Sequence, residues 1–123
     1  MMRSNNYSTK SKSDMFDEET DYTLEHDEPI GILMLDDGQE IIIDQAKFII
    51  GNNPTGTDYK FLYDTNVSGL HAVITREKHN FYILDNNSTN GTFLNGQRLS
   101  EKTQIVGGDT LTIADITMTF GIR

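Results

Sequence analysis

Three histidines, His26, His71 and His79, and one nearby serine are the side chains of this sequence best suited to acid–base or metal chemistry. No histidine is spaced from another histidine or from a glutamate as metal-binding pairs are, so the sequence predicts no metal site. Ser68 precedes His71 by three residues, which leaves a nucleophile and its base as one possibility. However, the Gly-x-Ser-x-Gly turn, the glycine-rich phosphate loop and the dinucleotide-binding glycine pattern are all missing. We therefore expect neither an enzyme nor a cofactor.

Groups of hydrogen-bonding side chains occur instead in three polar segments, residues 51–54, 67–72 and 85–96. The last segment runs Asp-Asn-Asn-Ser-Thr-Asn-Gly-Thr before Phe93, which is more polar than a turn alone requires. Loops on a rigid β scaffold are common places for binding residues. Asn, Asp, Ser and Gly are also ordinary turn-forming residues, so residue chemistry alone leaves both interpretations open.

Short strands are the elements that must position these segments. Asp36-Asp37-Gly38 and Asn95-Gly96 are tight-turn signals between apolar runs. Over residues 110–121, Thr alternates with Leu, Ile, Met and Phe at the period of two that a half-buried strand shows. No window carries a helical apolar stripe. The sequence therefore predicts an all-β sandwich or barrel with strands at residues 32–35, 40–43, 47–51, 59–62, 71–76, 80–84, 91–94, 97–99, 110–114 and 116–121.

The formal net charge of the 123 residues is −9, and it is unevenly distributed. Residues 1–29 carry −5 and contain no Ile, Val or Gly, so we predict a disordered acidic tail or linker there and a folded domain over residues 30–123. The acidity argues against nucleic acid and anionic membranes as partners, because both require a basic protein surface. The absence of Cys, of a membrane-spanning apolar run and of a signal-peptide core predicts a cytoplasmic protein.

The three polar segments, in this order and spacing, resemble the forkhead-associated (FHA) domain family. The family pattern is Gly-Arg at a strand end, then Ser-Arg-x-His, then Asp-x-x-Ser-x-Asn-Gly-Thr followed by Asn-Gly. The resemblance covers about residues 30–123 and implies a β-sandwich of about eleven mostly antiparallel strands whose loops bind phosphothreonine peptides. The matching residues are Gly51, Ser68, His71, Asp85, Ser88, Asn90, Gly91, Thr92, Asn95, Gly96, Gly108 and Asp109.

The resemblance assigns binding roles to four residues of these segments. Ser68 would donate its hydroxyl to the phosphate, helped by the backbone N–H of Gly69. Thr89 would line the pocket beside the phosphothreonine. Asn90 would bind the peptide backbone through its amide, which offers a donor and an acceptor together.

Other residues would support the site, His71 through hydrogen bonds and Gly51 and Gly91 through backbone geometry.

The sequence departs from the family at two positions, because Asn52 and Gly69 stand where the family has arginines. Asn52 still offers two N–H donors and stays among the predicted binding residues. A lost charged hydrogen bond costs about 1.5–3 kcal/mol, or roughly ten- to a hundred-fold in affinity. Two hypotheses follow: a phosphothreonine-binding signalling adaptor with a weakened site, and a phosphate-independent FHA scaffold for protein assembly.

The tail adds a hypothesis about regulation. Thr20 and Thr23 lie among acidic residues, which resembles the tail of small bacterial FHA regulators. The partner implied by the resemblance is a phosphothreonine-containing protein or peptide, the substrate of a Ser/Thr kinase. The resemblance of the tail implies that a phosphorylated tail threonine would dock into the protein's own site. The alternative is a solvated linker with no such role.

Overall fold

The computed structural model describes residues 28–61 and 64–123, which contain eleven β-strands and no helix. In this part of the chain, accordingly, no helix is long and apolar enough to cross a membrane. The predicted tail lies outside the described residues except for Glu28 and Pro29. The strands are β1 Gly31–Leu35, β2 Glu40–Ile43, β3 Lys47–Gly51, β4 Tyr59–Lys60, β5 Ala72–Glu77, β6 Asn80–Asp85, β7 Thr92–Leu94, β8 Gln97–Arg98, β9 Thr103–Ile105, β10 Thr110–Ile113 and β11 Ile116–Ile122.

Two sheets make up the fold. The five-stranded sheet has the order β9-β6-β5-β3-β4, and the six-stranded sheet has the order β2-β1-β11-β10-β7-β8. β3 and β4 pair in parallel, and all other described pairs are antiparallel. The predicted all-β, mostly antiparallel fold is therefore confirmed.

The core lies between the sheets because apolar and polar side chains alternate along the strands. The rings of Phe81 and Phe120, one from each sheet, meet edge to face with their centroids 5.3 Å apart. Such pairs stabilise a fold by about 0.5–1.5 kcal/mol beyond the area they bury. The other buried apolar residues of this cluster are Leu33, Ile41, Ile43, Phe48, Ile50, Val67, Ala72, Ile74, Ile83, Ile105, Leu111, Ile113 and Met118.

The observed strands agree with the predicted ones to within one or two residues, with one omission. The sequence analysis missed β9, because a three-residue strand with a single buried side chain, Ile105, shows no alternation. Its strand character comes from pairing with β6, in which Ile105 lies opposite Phe81. The predicted fourth strand extends to Leu62, which lies outside the described residues.

The sandwich has two distinct ends. We call the end formed by loop residues 52–58, 64–71 and 86–91 the apical end and the opposite one the basal end. β5 connects them, since Ala72 follows an apical loop and Glu77 begins the basal turn to β6.

Residues 28–30 are attached at the basal end. Ile30 and Arg123 exchange backbone hydrogen bonds, of 3.4 Å from Ile30 N to Arg123 O and 2.8 Å from Arg123 N to Ile30 O. The guanidinium of Arg76 donates to the carbonyl of Pro29 at 3.2 Å and to the carboxylate of Glu28 at 2.8 Å. The chain therefore enters the described domain at the end opposite the polar loops.

Candidate functional site

The three predicted polar segments meet at the apical end. The backbone of the loop after β3 pairs with the loop before β5: Asn52 N–H donates to Ser68 O and Asn53 N–H to Gly69 O, both at 3.1 Å. His71 N–H donates to Ile50 O at 2.8 Å. These bonds hold the loop after β3 and the loop before β5 together, and the loop after β6 lies beside them.

Gly51 is required by this close approach. A Cβ built on Gly51 would lie 1.9 Å from the carbonyl oxygen of Gly69 and 3.0 Å from that of Ser68. Both obstacles are backbone atoms, which a rotamer change cannot move. The predicted structural importance of Gly51 thus has a specific steric cause.

His71 connects the loop before β5 to the loop after β6 from a fully buried position. Its Nδ1 accepts a hydrogen bond from Ser68 N–H at 3.0 Å, and its Nε2 lies 2.8 Å from the carbonyl oxygen of Gly91. Because Nδ1 is an acceptor, the proton is on Nε2, which donates to Gly91. These contacts favour the predicted support role for His71.

The same contacts argue against a catalytic pair of Ser68 and His71. Nδ1 faces the backbone N–H of Ser68, and Nε2 faces Gly91, so neither ring nitrogen is left to accept the proton of the Ser68 hydroxyl. Among residues 28–61 and 64–123, no group of three or more His, Asp or Glu side chains is arranged to hold a metal ion.

Asp85 organises the loop after β6. Its Oδ1 accepts hydrogen bonds from the hydroxyls of Ser88 at 2.5 Å and Thr92 at 2.6 Å, and its Oδ2 accepts one from Ser88 N–H at 3.1 Å. The Ser88 hydroxyl oxygen in turn accepts a hydrogen bond from Gly91 N–H at 2.9 Å. Burial opposes the charged form of Asp85, yet the hydrogen bonds from Ser88 and Thr92, with a further contribution from His71, lower its pKa.

Ser68 carries a hydroxyl whose hydrogen is available to a ligand. Its oxygen accepts a hydrogen bond from Thr89 N–H at 3.0 Å, and the hydroxyl donates to no residue of the described part of the chain. The N–H groups of Gly69 and Leu70 likewise donate to no described residue. Three donors from consecutive residues are thus available at one point of the surface.

Thr89 and Asn90 are exposed at the rim of this donor cluster. Asn90 Nδ2 donates to the carbonyl of Asn66 at 2.7 Å, and the amide of Asn66 donates to Asp115 at 3.2 Å. One N–H of Asn90 is therefore occupied within the protein, whereas its amide oxygen has no donor among the described residues.

The two asparagines after Gly51 differ in orientation. Asn52 Nδ2 lies 3.4 Å from the carbonyl of Asp64, a long hydrogen bond, whereas Asn53 Nδ2 lies beside Gly69. The predicted binding role of Asn52 stays a prediction. Sequence reasoning missed Asn53, because a residue before Pro54 is interpreted as a turn former.

Two basic side chains lie near the apical loops. Lys60 is the parallel partner of Gly51, and Arg98 packs on Gly91, where a Cβ would meet its guanidinium nitrogen Nε at 2.8 Å. Gly91 has a φ of 90°, which favours glycine independently of Arg98. Neither base forms an ion pair with any described residue. Sequence reasoning also missed Arg98, since only the fold brings β8 to this loop.

The Ser68 hydroxyl and the N–H groups of Gly69 and Leu70 thus form a group of hydrogen-bond donors that is suited to an oxyanion. The family model of the FHA domain matches residues 48–114, more than half of the chain. The chain belongs to the FHA domain family. The resemblance found in the sequence is confirmed.

Solved FHA structures superpose on this chain. EmbR of Mycobacterium tuberculosis, solved in complex with a low-affinity phosphopeptide, is 28% identical with a TM-score of 0.71 over 76% of this chain. An FHA domain from a study of phosphothreonine-dependent FHA interactions is 26% identical with a TM-score of 0.69, covering 76% of this chain and 97% of its own. The FhaA FHA domain, complexed with the intracellular domain of Rv3910, is 27% identical with a TM-score of 0.66, covering 73% of this chain and 98% of its own.

These matches differ in extent. The match covers 24% of the EmbR chain, so this protein corresponds to about a quarter of that one. The comparison with curated proteins gave no match.

Proposed function

We propose that this protein is a phosphothreonine-dependent protein-interaction module. The observation that carries the proposal is the Ser68 hydroxyl, whose oxygen is fixed by Thr89 N–H while its hydrogen remains available. The neighbouring N–H groups of Gly69 and Leu70 are available as well. Donors oriented before the ligand arrives bind a phosphate dianion without a further ordering cost.

In this proposal the apical residues contact three parts of the ligand. Ser68 and Gly69 donate to the phosphate oxygens, and Thr89 lines the pocket beside the threonine methyl. The amide oxygen of Asn90 accepts a backbone N–H of the peptide. Gly51, His71 and Gly91 do not contact the ligand and hold the apical loops in position.

The phosphate affinity is expected to be low for an FHA domain. Asn52 and Gly69 occupy the positions of two arginines in the family pattern, and residues 30–123 carry a net charge of −4. Hydrogen bonds to charged donors are about twice as strong as neutral ones, so their loss weakens the grip on phosphate. We therefore infer a signalling adaptor with a weakened site, acting in the cytoplasm on proteins phosphorylated by a Ser/Thr kinase.

A peptide library with a central phosphothreonine, compared with its unphosphorylated copy, tests this function. The best phosphopeptide is titrated calorimetrically in both forms at up to millimolar concentration. Binding that requires the phosphate supports the adaptor. Equal binding of both forms, or binding of neither, overturns it, and equal binding would favour the phosphate-independent scaffold.

The distance from the basal end to the apical loops limits which tail threonine could reach the proposed site. Tail residues leave the domain at Glu28 on the basal end, whereas β5 alone separates that end from the apical loops by about 17 Å. The five residue steps from Glu28 to Thr23 span at most about 17 Å, which is no more than the length of β5 itself, whereas the eight steps to Thr20 span about 27 Å. Both threonines lie outside the described residues. We propose that, if the tail docks into the site of its own molecule, phosphorylated Thr20 is the residue that reaches it.

Amide chemical shifts distinguish this docking from a solvated tail. Phosphorylation of Thr20 should shift the amide signals of Ser68, Gly69 and Asn90 at a protein concentration that keeps the chain monomeric. Unmoved signals would remove self-docking and leave the tail as a linker. Shifts that grow with protein concentration would instead indicate docking between molecules.

A further inference from the structure

The side-chain amide of Asn53 lies beside the proposed phosphate site. Asn53 N–H donates to the carbonyl of Gly69 at 3.1 Å, which holds the two residues together. A Cβ built on Gly69 would lie 3.8 Å from Asn53 Cβ and 3.9 Å from Asn53 Nδ2. The amide nitrogen of Asn53 therefore lies next to the space that a larger side chain at residue 69 would occupy.

The orientation of this amide is fixed by Thr55. Asn53 Oδ1 accepts hydrogen bonds from Thr55 N–H at 3.1 Å and from the Thr55 hydroxyl at 3.3 Å. Because a backbone N–H can only donate, the oxygen of the amide must face Thr55 and the nitrogen must face away. In the described part of the chain, Nδ2 donates to no acceptor. Its two N–H groups are thus oriented in advance and available.

Neighbouring Asn52 differs in this respect. Its Nδ2 is directed at the carbonyl of Asp64 at 3.4 Å, and no contact relates it to Gly69. Of the two asparagines, Asn53 is the one whose donor is both free among the described residues and adjacent to the available N–H of Gly69.

We propose that Asn53 binds a phosphate oxygen of the phosphothreonine through Nδ2–H. It acts together with the Ser68 hydroxyl and the Gly69 N–H, so that uncharged donors replace the missing arginines. This inference rests on the proposed function and adds a binding residue to the same site. Loss of one N–H donor to a charged phosphate should weaken binding about ten-fold or more.

Asn53→Asp separates this role from the structural role of the turn. The aspartate keeps an oxygen to accept the Thr55 N–H but replaces the NH2 group by a second, negatively charged oxygen. Gln104→Glu makes the same change of amide to carboxylate on an exposed residue of β9, at the opposite edge of the five-stranded sheet from β4. Both variants are titrated calorimetrically with the best phosphothreonine peptide and its unphosphorylated copy, after denaturation curves have established that they fold.

The wild-type protein provides a second measurement that needs no variant. The side-chain NH2 signals of Asn53 are followed by NMR while N-acetyl-phosphothreonine-N-methylamide is added at millimolar concentration. These signals should shift together with the amide signal of Gly69.

The outcomes separate the two proposals. A loss of more than ten-fold in Asn53→Asp, with Gln104→Glu unchanged and the Asn53 side-chain signals shifted, supports the inference. If the wild-type protein binds in a phosphate-dependent way but neither the affinity of Asn53→Asp nor the side-chain signals change, Asn53 is not a phosphate ligand and the function stands. If the wild-type protein binds no phosphothreonine probe, the proposed function fails and the inference fails with it.

Discussion

The hydroxyl oxygen of Ser68 lies 3.0 Å from the backbone nitrogen of Thr89, twenty-one residues later in the chain. This bond joins the loop before β5 to the loop after β6 across the apical end. It also uses the hydroxyl oxygen as an acceptor, and the hydroxyl hydrogen has no acceptor among the described residues. One side chain thereby holds two loops together and presents a donor.

Ser68→Ala should reduce phosphopeptide affinity about ten-fold or more, because it removes a donor to a charged ligand and leaves Thr89 N–H without its acceptor. Calorimetric titration measures the effect. Ser100→Ala, at an exposed residue between β8 and β9, is the matched control and should bind as the wild type does. Equal affinities of the two variants would show that Ser68 does not contact the phosphate.

Gly51→Ala should destabilise the fold by about 1–3 kcal/mol or displace the loop before β5, because the new methyl group would overlap the Gly69 carbonyl. Urea denaturation measures the loss. Gly107→Ala introduces the same methyl group where no atom lies within 4 Å, and its stability should change by less than about 0.5 kcal/mol. Similar stabilities of both variants would contradict the steric argument.

His71→Ala should cost about 2–5 kcal/mol of unfolding free energy. It opens a cavity, leaves the half-buried Ser68 N–H without its acceptor and removes one of two donors to the Gly91 carbonyl. The second donor, Ala114 N–H at 3.1 Å, remains. Thermal and urea unfolding measure the effect, with exposed His79→Ala as the control. A His71 variant as stable as the His79 variant would exclude the support role.

Acid should destabilise the loop after β6 through Asp85. The folded protein lowers the pKa of Asp85 below its ordinary value of 3.8, so Asp85 contributes stability above that value. The contribution is lost as the pH falls through the lowered pKa, when the carboxylate takes up a proton. Urea denaturation between about pH 2 and pH 6 should therefore give a shallower pH dependence for Asp85→Asn than for the wild type. Parallel curves would assign the acid sensitivity to other carboxylates.

Asn52→Arg should raise phosphopeptide affinity roughly ten-fold and make it more sensitive to salt, because it restores a charged donor at a family position. Asn52→Gln provides a longer side chain without charge and should leave affinity nearly unchanged. Calorimetry at low and high salt distinguishes the two. An arginine variant that binds no better would indicate that residue 52 cannot reach the ligand from this loop.

Most of the fold follows from local sequence. In β10 and β11 the apolar residues lie mainly on the buried face of the sheet and the Thr residues on the more exposed face. These strands are therefore predictable from the two-residue period alone. β9 is not, because its strand conformation depends on the edge of β6 that it pairs with. Local sequence encodes side-chain periodicity, whereas pairing between distant segments requires the assembled sheet.

In the candidate site, too, some features are predictable from local sequence and others depend on the assembled fold. Ser68, Thr89 and Asn90 are found from the motif, and the structure brings them to one end of the sandwich. The steric reason for Gly51 is absent from the sequence, since the obstructing carbonyl belongs to Gly69, eighteen residues away. The proposed binding role of Asn53 could not be predicted for a different reason. Its side-chain oxygen accepts the hydrogen bond of the turn that the sequence predicts, and only the folded structure places its side-chain nitrogen beside Gly69.

The backbone pairing of Ile30 with Arg123 has a practical consequence for engineering. Because the two residues are neighbours on the face of the molecule farthest from Ser68, the domain can be grafted as a cassette into a surface loop of a host protein with short connectors on both sides. A fluorescent host joined in this way would keep its own bulk away from an incoming peptide. Peptide binding at the apical loops would then be read out without a label on the binding surface.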